Sequence, residues 1–126
     1  MLLFQMTILI MTTEILRNLL YRSRSEDGTV LPDKHLGTDL DIEKEVGVVI
    51  YDEVHYIADK NRGRVWEESI ILLPNKIQLV MLSATIYKPE IFAKWISEIK
   101  NRPTTLSIAS KRVVPLVYFM FNTFTS

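Results

Sequence analysis

The stretch "VGVVIYDEVHYI", residues 46–57, constrains the fold of this chain more than any other segment. Its first six residues do not alternate with polar ones, which is typical of a strand buried on both faces of a parallel sheet. The run stops at Asp52 and Glu53, and His55 follows two positions later. Because carboxylates are costly inside a sheet, either the strand ends in a solvated or helix-capping acidic pair, or a site begins here.

The rest of the chain alternates between strand and helix patterns. Further strands are predicted for "TILIM", "IQLVMLSAT", "TTLSIAS" and "PLVYFMF". Three helices separate them, and their predicted inward residues are Ile15, Leu16, Leu19 and Leu20, then Trp66, Ile70 and Leu73, then Ile91, Phe92, Trp95, Ile96 and Ile99. The order predicts an α/β fold with a parallel sheet and right-handed crossovers. Residues 23–44 are polar and hold two of the four glycines, so we interpret them as a surface insertion with a short helix near its end.

Composition excludes several classes of protein. Fifteen basic and fifteen acidic residues cancel, so any binding of nucleic acid must be local. No cysteine is present, which excludes disulfides and cysteine-ligated metal sites. The opening "MLLFQMTILIM" lacks the basic start of a signal peptide, and Glu14 and Arg17 arrive too early for a membrane span. We therefore expect an intracellular protein with no membrane partner.

Three predicted strands end in polar residues. In open parallel sheets, ligands bind at the carboxyl ends of the strands, so three such ends would share one edge. The polar ends are Thr12 with Thr13, Asp52 with Glu53, and Ser83 with Thr85. The sequence therefore predicts one site at this edge.

The acidic pair suits nucleotide chemistry. A magnesium ion bridging phosphate oxygens needs a hard carboxylate nearby, and a second carboxylate can orient and deprotonate an attacking water. His55 could hydrogen-bond across to the next strand. By itself, Asp-Glu after an apolar strand is a weak signal, because a solvated or capping acidic end explains it equally well.

Several motifs together resemble one family. "DEVH" (residues 52–55) is similar to the DExH box of superfamily-two helicases, and "SAT" (residues 83–85) follows at the position of their third motif. "MTTEILRNLLYR" is similar to the motif that grips the nucleic-acid backbone. "DKNRGRVWEESIILLP" and "KRVVPL" resemble the superkiller-like, exosome-associated RNA helicases. The chain is thus identified as a member of that branch, with a partial RecA-like first motor domain over residues 1–110 and a connection toward a second motor domain over 111–126.

The resemblance implies a role for each matching residue. Asp52 would bind magnesium through water, and Glu53 would be the general base for attack on the terminal phosphate of ATP. His55, with Ser83, Ala84 and Thr85, would couple hydrolysis to strand movement. The residues implied in RNA binding are Thr12, Thr13, Glu14 and Arg17. A helix N-terminus favours a phosphate there, although plain capping also explains the two threonines. Exosome-type decay proteins are the implied partners.

One element of that family is absent from the sequence. None of the four glycines, Gly28, Gly37, Gly47 and Gly63, is followed by lysine, so no G-x-x-x-x-G-K-[ST] phosphate loop is present. We expect the chain to begin late in the first motor domain, without its early strands, and to be inactive alone.

Three interpretations therefore stand. The leading one is part of an ATP-dependent RNA helicase acting in RNA processing or decay. The first alternative is a non-catalytic remnant that binds RNA or protein. A transporter-type ATPase domain shares the strand-Asp-Glu ending but explains neither His55 nor "SAT". We interpret Arg62 and Arg64 as loop or helix-surface residues. "SKRVVPL" resembles the cytoplasmic superkiller type more than its nuclear relatives, which implies a cytoplasmic location.

Overall fold

A computed structural model describes residues 8–24 and 40–109 of the chain. In chain order, these residues form α1 (Thr13–Arg24), α2 (Ile42–Glu45), β1 (Val48–Tyr51), a 3-10 helix (Val54–Ala58), α3 (Gly63–Leu72), β2 (Gln78–Met81) and α4 (Pro89–Lys100). The predicted strand "PLVYFMF" and residues 111–126 lie outside the described part, as do residues 25–39 of the predicted insertion.

The sheet of the described residues has two parallel strands. β1 and β2 pair in register from Val48 opposite Gln78 to Tyr51 opposite Met81. Helix α3 connects them, because parallel strands cannot be joined by a tight turn. The predicted α/β class with a parallel sheet flanked by helices is confirmed.

Two predicted strands are wrong where the structure describes them. In "TILIM", Ile8 and Ile10 are 83% and 92% exposed and have no strand conformation. In "TTLSIAS", residues 104–109 are exposed and also irregular. Apolar side chains favour burial, but they do not by themselves form a strand. A strand also needs a hydrogen-bonded neighbour, and neither run has one among the described residues.

β1 differs from the predicted strand in its burial. Val48 and Ile50 are 53% and 63% exposed, whereas Tyr51 is buried. Alternate side chains point to opposite faces of a strand, so only one face of β1 packs on the core here. The prediction of burial on both faces is therefore wrong for the described residues.

The core lies where the buried face of the sheet meets the helices. Its members are Leu16, Leu19, Leu20, Ile42, Tyr51, Val54, Trp66, Ile70, Leu73, Ile77 and Ile96. Helix α1 packs mainly against α3. The inward prediction fails at Ile91, which is 61% exposed because it lies at the edge of the apolar stripe in the first turn of α4.

Helices border the predicted insertion of residues 23–44 at both of its ends. Helix α1 continues to Arg24, so the polar segment begins later than expected. The predicted short helix near its end is α2, and Asp41 caps it by accepting the amides of Glu43 and Lys44 at 3.1 and 3.2 Å. Among the described residues, no helix is long and apolar enough to cross a membrane.

Candidate functional site

The acidic pair lies in a tight turn directly after β1. Asp52 is exposed, and its Oδ1 accepts the amide of Glu53 at 2.9 Å. Glu53 adopts the left-handed conformation, with φ 56° and ψ 41°. Residues with a Cβ seldom do so, because the Cβ crowds the following carbonyl. This conformation turns the chain at once into the 3-10 helix and leaves both carboxylates at the sheet edge.

The end of β2 is bonded to that turn. The amide of Leu82 donates to the carbonyl of Tyr51 at 2.8 Å, and the amide of Val54 donates to the carbonyl of Leu82 at 2.9 Å. Ser83, Ala84 and Thr85 follow immediately and are exposed. The structure thus brings the "DEVH" and "SAT" segments together at one edge of the sheet.

The third polar pair, Thr12 and Thr13, lies at the start of α1. Thr12 caps α1, with its Oγ1 accepting the amide of Ile15 at 3.5 Å. No strand precedes it among the described residues, so the expectation that Thr12 and Thr13 end a strand is wrong. Instead, Glu14 Oε1 pairs with Arg62 Nη2 at 3.1 Å, which ties the start of α1 to the loop after the 3-10 helix.

The charge of Glu14 is held in place by its surroundings. Its own backbone amide, the Thr12 hydroxyl and the Arg62 guanidinium each lower the pKa of its carboxyl group, in that order of size. Negative charge in the first turn is also favoured by the helix dipole. Glu14 therefore stays ionised beside the helix N-terminus that was predicted to meet RNA.

His55 contacts its own turn rather than the next strand. Its Nδ1 lies 3.2 Å from Glu53 Oε2, and its ring stacks on Tyr56 with centroids 4.9 Å apart. The expected side-chain bond to the neighbouring strand is wrong, because the amide of Val54 already makes that connection. No hydrogen bond is formed at His55 Nδ1, so its contact with the exposed Glu53 carboxylate is one of proximity.

Arg17 is engaged with α3. Its Nη1 lies 3.5 Å from Glu68 Oε2, and Glu68 Oε1 accepts from Arg64 Nε at 2.8 Å. The hydrogen bond from Arg64 is the largest cause of the lowered pKa of the Glu68 carboxyl group. Arg62 and Arg64 are accordingly loop and helix-surface residues, as interpreted from the sequence.

A cavity of about 660 Å³ opens beside the two motif segments. His55 and Thr85 line it together with aromatic and aliphatic side chains that include Phe92 and Trp95. Sequence reasoning missed Lys88, which also lines it and lies 5.1 Å from the Tyr87 ring centroid. A lysine before a predicted helix carried no signal that could have placed it here.

The turn after β1 offers two carboxylates as ligands for magnesium, Asp52 and Glu53. Magnesium prefers oxygen ligands, keeps several waters and needs only one or two protein carboxylates beside phosphate oxygens. Asp52 offers an exposed carboxylate of this kind, whereas the Glu53 carboxylate is directed toward His55. Within the described ranges, no group of three or more His, Cys, Asp or Glu residues could hold a metal ion. The residues present fit a magnesium ion shared with phosphates.

Comparison with known proteins yields one family. The model of the DEAD/DEAH box helicase family matches residues 2–92. The "ATP-dependent RNA helicase mtr4" of Schizosaccharomyces pombe is 44% identical over 115 residues, covering 91% of this chain and 9% of that protein. The "Exosome RNA helicase MTR4" of Homo sapiens is 41% identical over 113 residues, covering 90% and 9%. The chain spans about a tenth of the length of these relatives.

Proposed function

The chain belongs to the DEAD/DEAH box helicase family, and from that premise we propose that it supplies the DExH turn, the "SAT" segment and an RNA-contacting helix to ATP-driven RNA unwinding. The observation that carries the proposal is the pair of backbone bonds joining Tyr51 and Val54 to Leu82. These bonds hold a carboxylate pair and a hydroxyl pair on adjacent strand ends, which is where open α/β sheets bind ligands. ATP use and RNA binding accord with the names of the relatives.

The proposed division of labour follows from the geometry of the turn. Asp52, exposed at the end of β1, would hold magnesium through water. When bound, the ion neutralises charge on the phosphate oxygens of ATP. Glu53 would accept the proton of the attacking water, and His55, 3.2 Å away, would orient that carboxylate. Ser83, Ala84 and Thr85 would sense the same event through the backbone bond between Val54 and Leu82.

RNA would meet the start of α1. The free amides of a first helical turn and the helix dipole favour a phosphate there. Thr12 and Thr13 stand at that end of the helix, and Arg17 lies one turn further along. Its guanidinium is directed along α3 by Glu68, so an RNA contact would share it with that carboxylate.

The proposal extends to organisation, partners and location. Residues 1–110 would belong to the first motor domain, and 111–126 would lead toward a second one. Magnesium is the proposed cofactor beside ATP, exosome-type decay proteins are the proposed partners, and the cytoplasm is the proposed location. A non-catalytic RNA-binding role is the second candidate, because none of the four glycines is followed by the lysine of a phosphate loop.

The test measures RNA binding by the chain itself. Anisotropy of a labelled uridine decamer should report binding that weakens with salt, as phosphate contacts require. Arg17→Gln should lower the salt slope by about 0.7, the share of one phosphate contact on a single strand. Lys94→Gln is the matched control, since Lys94 is exposed on α4 and away from α1.

An ATPase assay of the same samples tests whether the chain catalyses hydrolysis by itself. We expect no RNA-stimulated turnover by this chain alone, because no phosphate loop holds the nucleotide. Turnover that Glu53→Gln abolishes would overturn this expectation and favour the catalytic role. Equal affinities and slopes for the Arg17 and Lys94 variants would overturn the RNA site at α1.

A further inference from the structure

A continuous series of contacts runs from the start of α1 to the turn after β1. Glu14 pairs with Arg62 at 3.1 Å, and the Arg62 guanidinium lies 5.9 Å from the Tyr56 ring centroid. Tyr56 stacks on His55, and His55 Nδ1 lies 3.2 Å from the Glu53 carboxylate. The series joins the helix end proposed to meet RNA to the carboxylate proposed to activate water.

Arg62 is the member of this series with two competing attractions. Its backbone is fixed, because its amide donates to Asp59 Oδ1 at 2.8 Å just before α3 begins. Its side chain is 53% exposed. Because an exposed ion pair contributes little free energy, the guanidinium can exchange one anion for another. In the structure the guanidinium forms an ion pair with Glu14 and lies within the range of a cation–π contact with Tyr56.

The rings of Tyr56 and His55 lie between that guanidinium and the Glu53 carboxylate. His55 and Tyr56 are nearly parallel, at an interplanar angle of 23°, so a shift of the tyrosine ring moves the surface on which the histidine rests. His55 Nδ1 in turn lies 3.2 Å from the carboxylate of Glu53, whose backbone is held in the left-handed conformation. These contacts give a change at Arg62 a route to Glu53 through side chains.

We propose that Arg62 is a positioning residue that couples the charge at the start of α1 to the placement of His55 and Glu53. The inference rests on the proposed function. A phosphate at the α1 N-terminus competes with the Glu14 carboxylate for the Arg62 guanidinium, since both anions occupy the same end of the helix dipole. Arg62 then leaves Glu14 and Tyr56, and the His55–Glu53 pair rearranges.

The first arm of the test needs no RNA. The chain has two histidines, and with His35→Gln in every sample the imidazole Cε1–Hε1 cross-peak in the NMR spectrum reports His55 alone. Glu14→Ala should displace this peak in the parent chain and leave it in place in the Arg62→Gln background. Arg64→Gln is the matched control, because Arg64 contacts Glu68 and should preserve the displacement.

Tyr56 provides a second check on the route. Tyr56→Leu should abolish the displacement caused by Glu14→Ala, whereas Tyr56→Phe keeps the ring and should retain it. Equal displacement in the parent and Arg62→Gln backgrounds overturns the proposal, as does loss of the effect in Arg64→Gln. A His55 peak at the random-coil position in the parent chain also overturns it, because the contacts would then be absent.

The second arm adds a uridine decamer at saturation, so that differences in affinity do not enter. The His55 peak should move in the parent chain and lose most of that movement in Arg62→Gln. If the decamer fails to bind the parent chain, the proposed RNA site at α1 fails, while the RNA-free arm still decides the coupling. Full movement in Arg62→Gln with the decamer bound overturns the proposal.

Discussion

The amide of Val54 donates a 2.9 Å hydrogen bond to the carbonyl oxygen of Leu82. Val54 is 1% exposed, so the donor of this bond belongs to a buried residue. Leu82 stands immediately before Ser83, and Val54 immediately after Glu53. The backbone therefore fixes the two motif segments against each other, and their side chains can be changed one at a time without dismantling the site.

The left-handed backbone of Glu53 leads to the first prediction. Glu53→Gly suits φ 56°, whereas Glu53→Val places a β-branched side chain where it is most strained. Both variants lose the contact with His55, so their difference isolates the backbone. We expect Glu53→Gly to be more stable than Glu53→Val by about 1 kcal/mol in urea unfolding.

The control is the same pair of substitutions at Gln78. This residue is exposed in β2, where valine suits the extended backbone and glycine does not. The order of stability should therefore reverse at Gln78. The same order at both positions would contradict a strained turn at Glu53.

Gly63 is required by a close approach of two backbone segments. A Cβ at this position would collide with the carbonyl oxygen of Ile57, which is backbone and cannot move aside. The amide of Gly63 also donates to the carbonyl of Asp59 at 2.8 Å, which holds α3 in place. We expect Gly63→Ala to lower the free energy of unfolding by ~1–3 kcal/mol, as overpacking usually does.

Gly47 is the matched control for that substitution. No atom lies within 4 Å of a Cβ built there. Gly47→Ala should leave stability unchanged or raise it by about 0.4–1 kcal/mol, because it restricts the unfolded chain. Equal melting temperatures for the two alanine variants would show that α3 can shift away from Ile57.

Local patterns predicted the elements that border the site. β1, α3, β2 and α4 follow from apolar runs and helical spacing bounded by Asp52, Pro74 and Pro89. Their parallel order then places the acidic pair beside "SAT", because parallel strands end at the same edge. This much of the site depends on neighbours in sequence.

The other features of the fold and site depend on contacts between residues that are distant in sequence or on backbone conformation, and a local pattern does not predict these. The predicted strands at residues 7–11 and 104–110 have the apolar residues of strands but lack a hydrogen-bonded neighbour among the described residues. Arg62 pairs with Glu14 from 48 positions away, so its contact appears only after α1 and α3 pack. The left-handed Glu53 carries no sequence signal, since left-handed turns normally favour glycine.

Tyr51 makes stability depend on alkaline pH. Its hydroxyl donates to Ser69 Oγ at 3.0 Å, and burial raises the pKa of the phenol to about 12. An unfolded tyrosine ionises near pH 10, so between about pH 10 and 12 only the unfolded chain loses this proton. The neutral Tyr51 phenol therefore contributes its full share to the free energy of unfolding below about pH 10. About 2–3 kcal/mol of that share is lost as pH rises to about 12.

Tyr51→Phe should remove that dependence. Below about pH 10 the variant should be less stable by ~1 kcal/mol, the usual net value of a buried hydrogen bond. Above it, the parent chain should approach and then fall below the variant in urea unfolding. Tyr87→Phe is the control, since Tyr87 is 85% exposed and should follow the parent curve. Parallel curves for the parent and Tyr51→Phe would argue against a buried neutral phenol.

Lys100 stabilises the end of α3 from the last turn of α4. Its Nζ donates to the carbonyl of Leu73 at 2.6 Å and to that of Ile71 at 3.5 Å, and the residue is 6% exposed. A cation at a helix C-terminus satisfies carbonyls that have no partner within the helix and complements the dipole. Lys100→Met keeps the apolar stem but removes the donor, so the free energy of unfolding should fall by ~1–3 kcal/mol.

Lys94→Met is the control for this substitution. Lys94 is an exposed side chain 3.8 Å from Glu98, so its loss should change the free energy of unfolding by less than about 0.5 kcal/mol. If both methionine variants unfold at the same urea concentration, the ammonium of Lys100 does not hold α3 and α4 together.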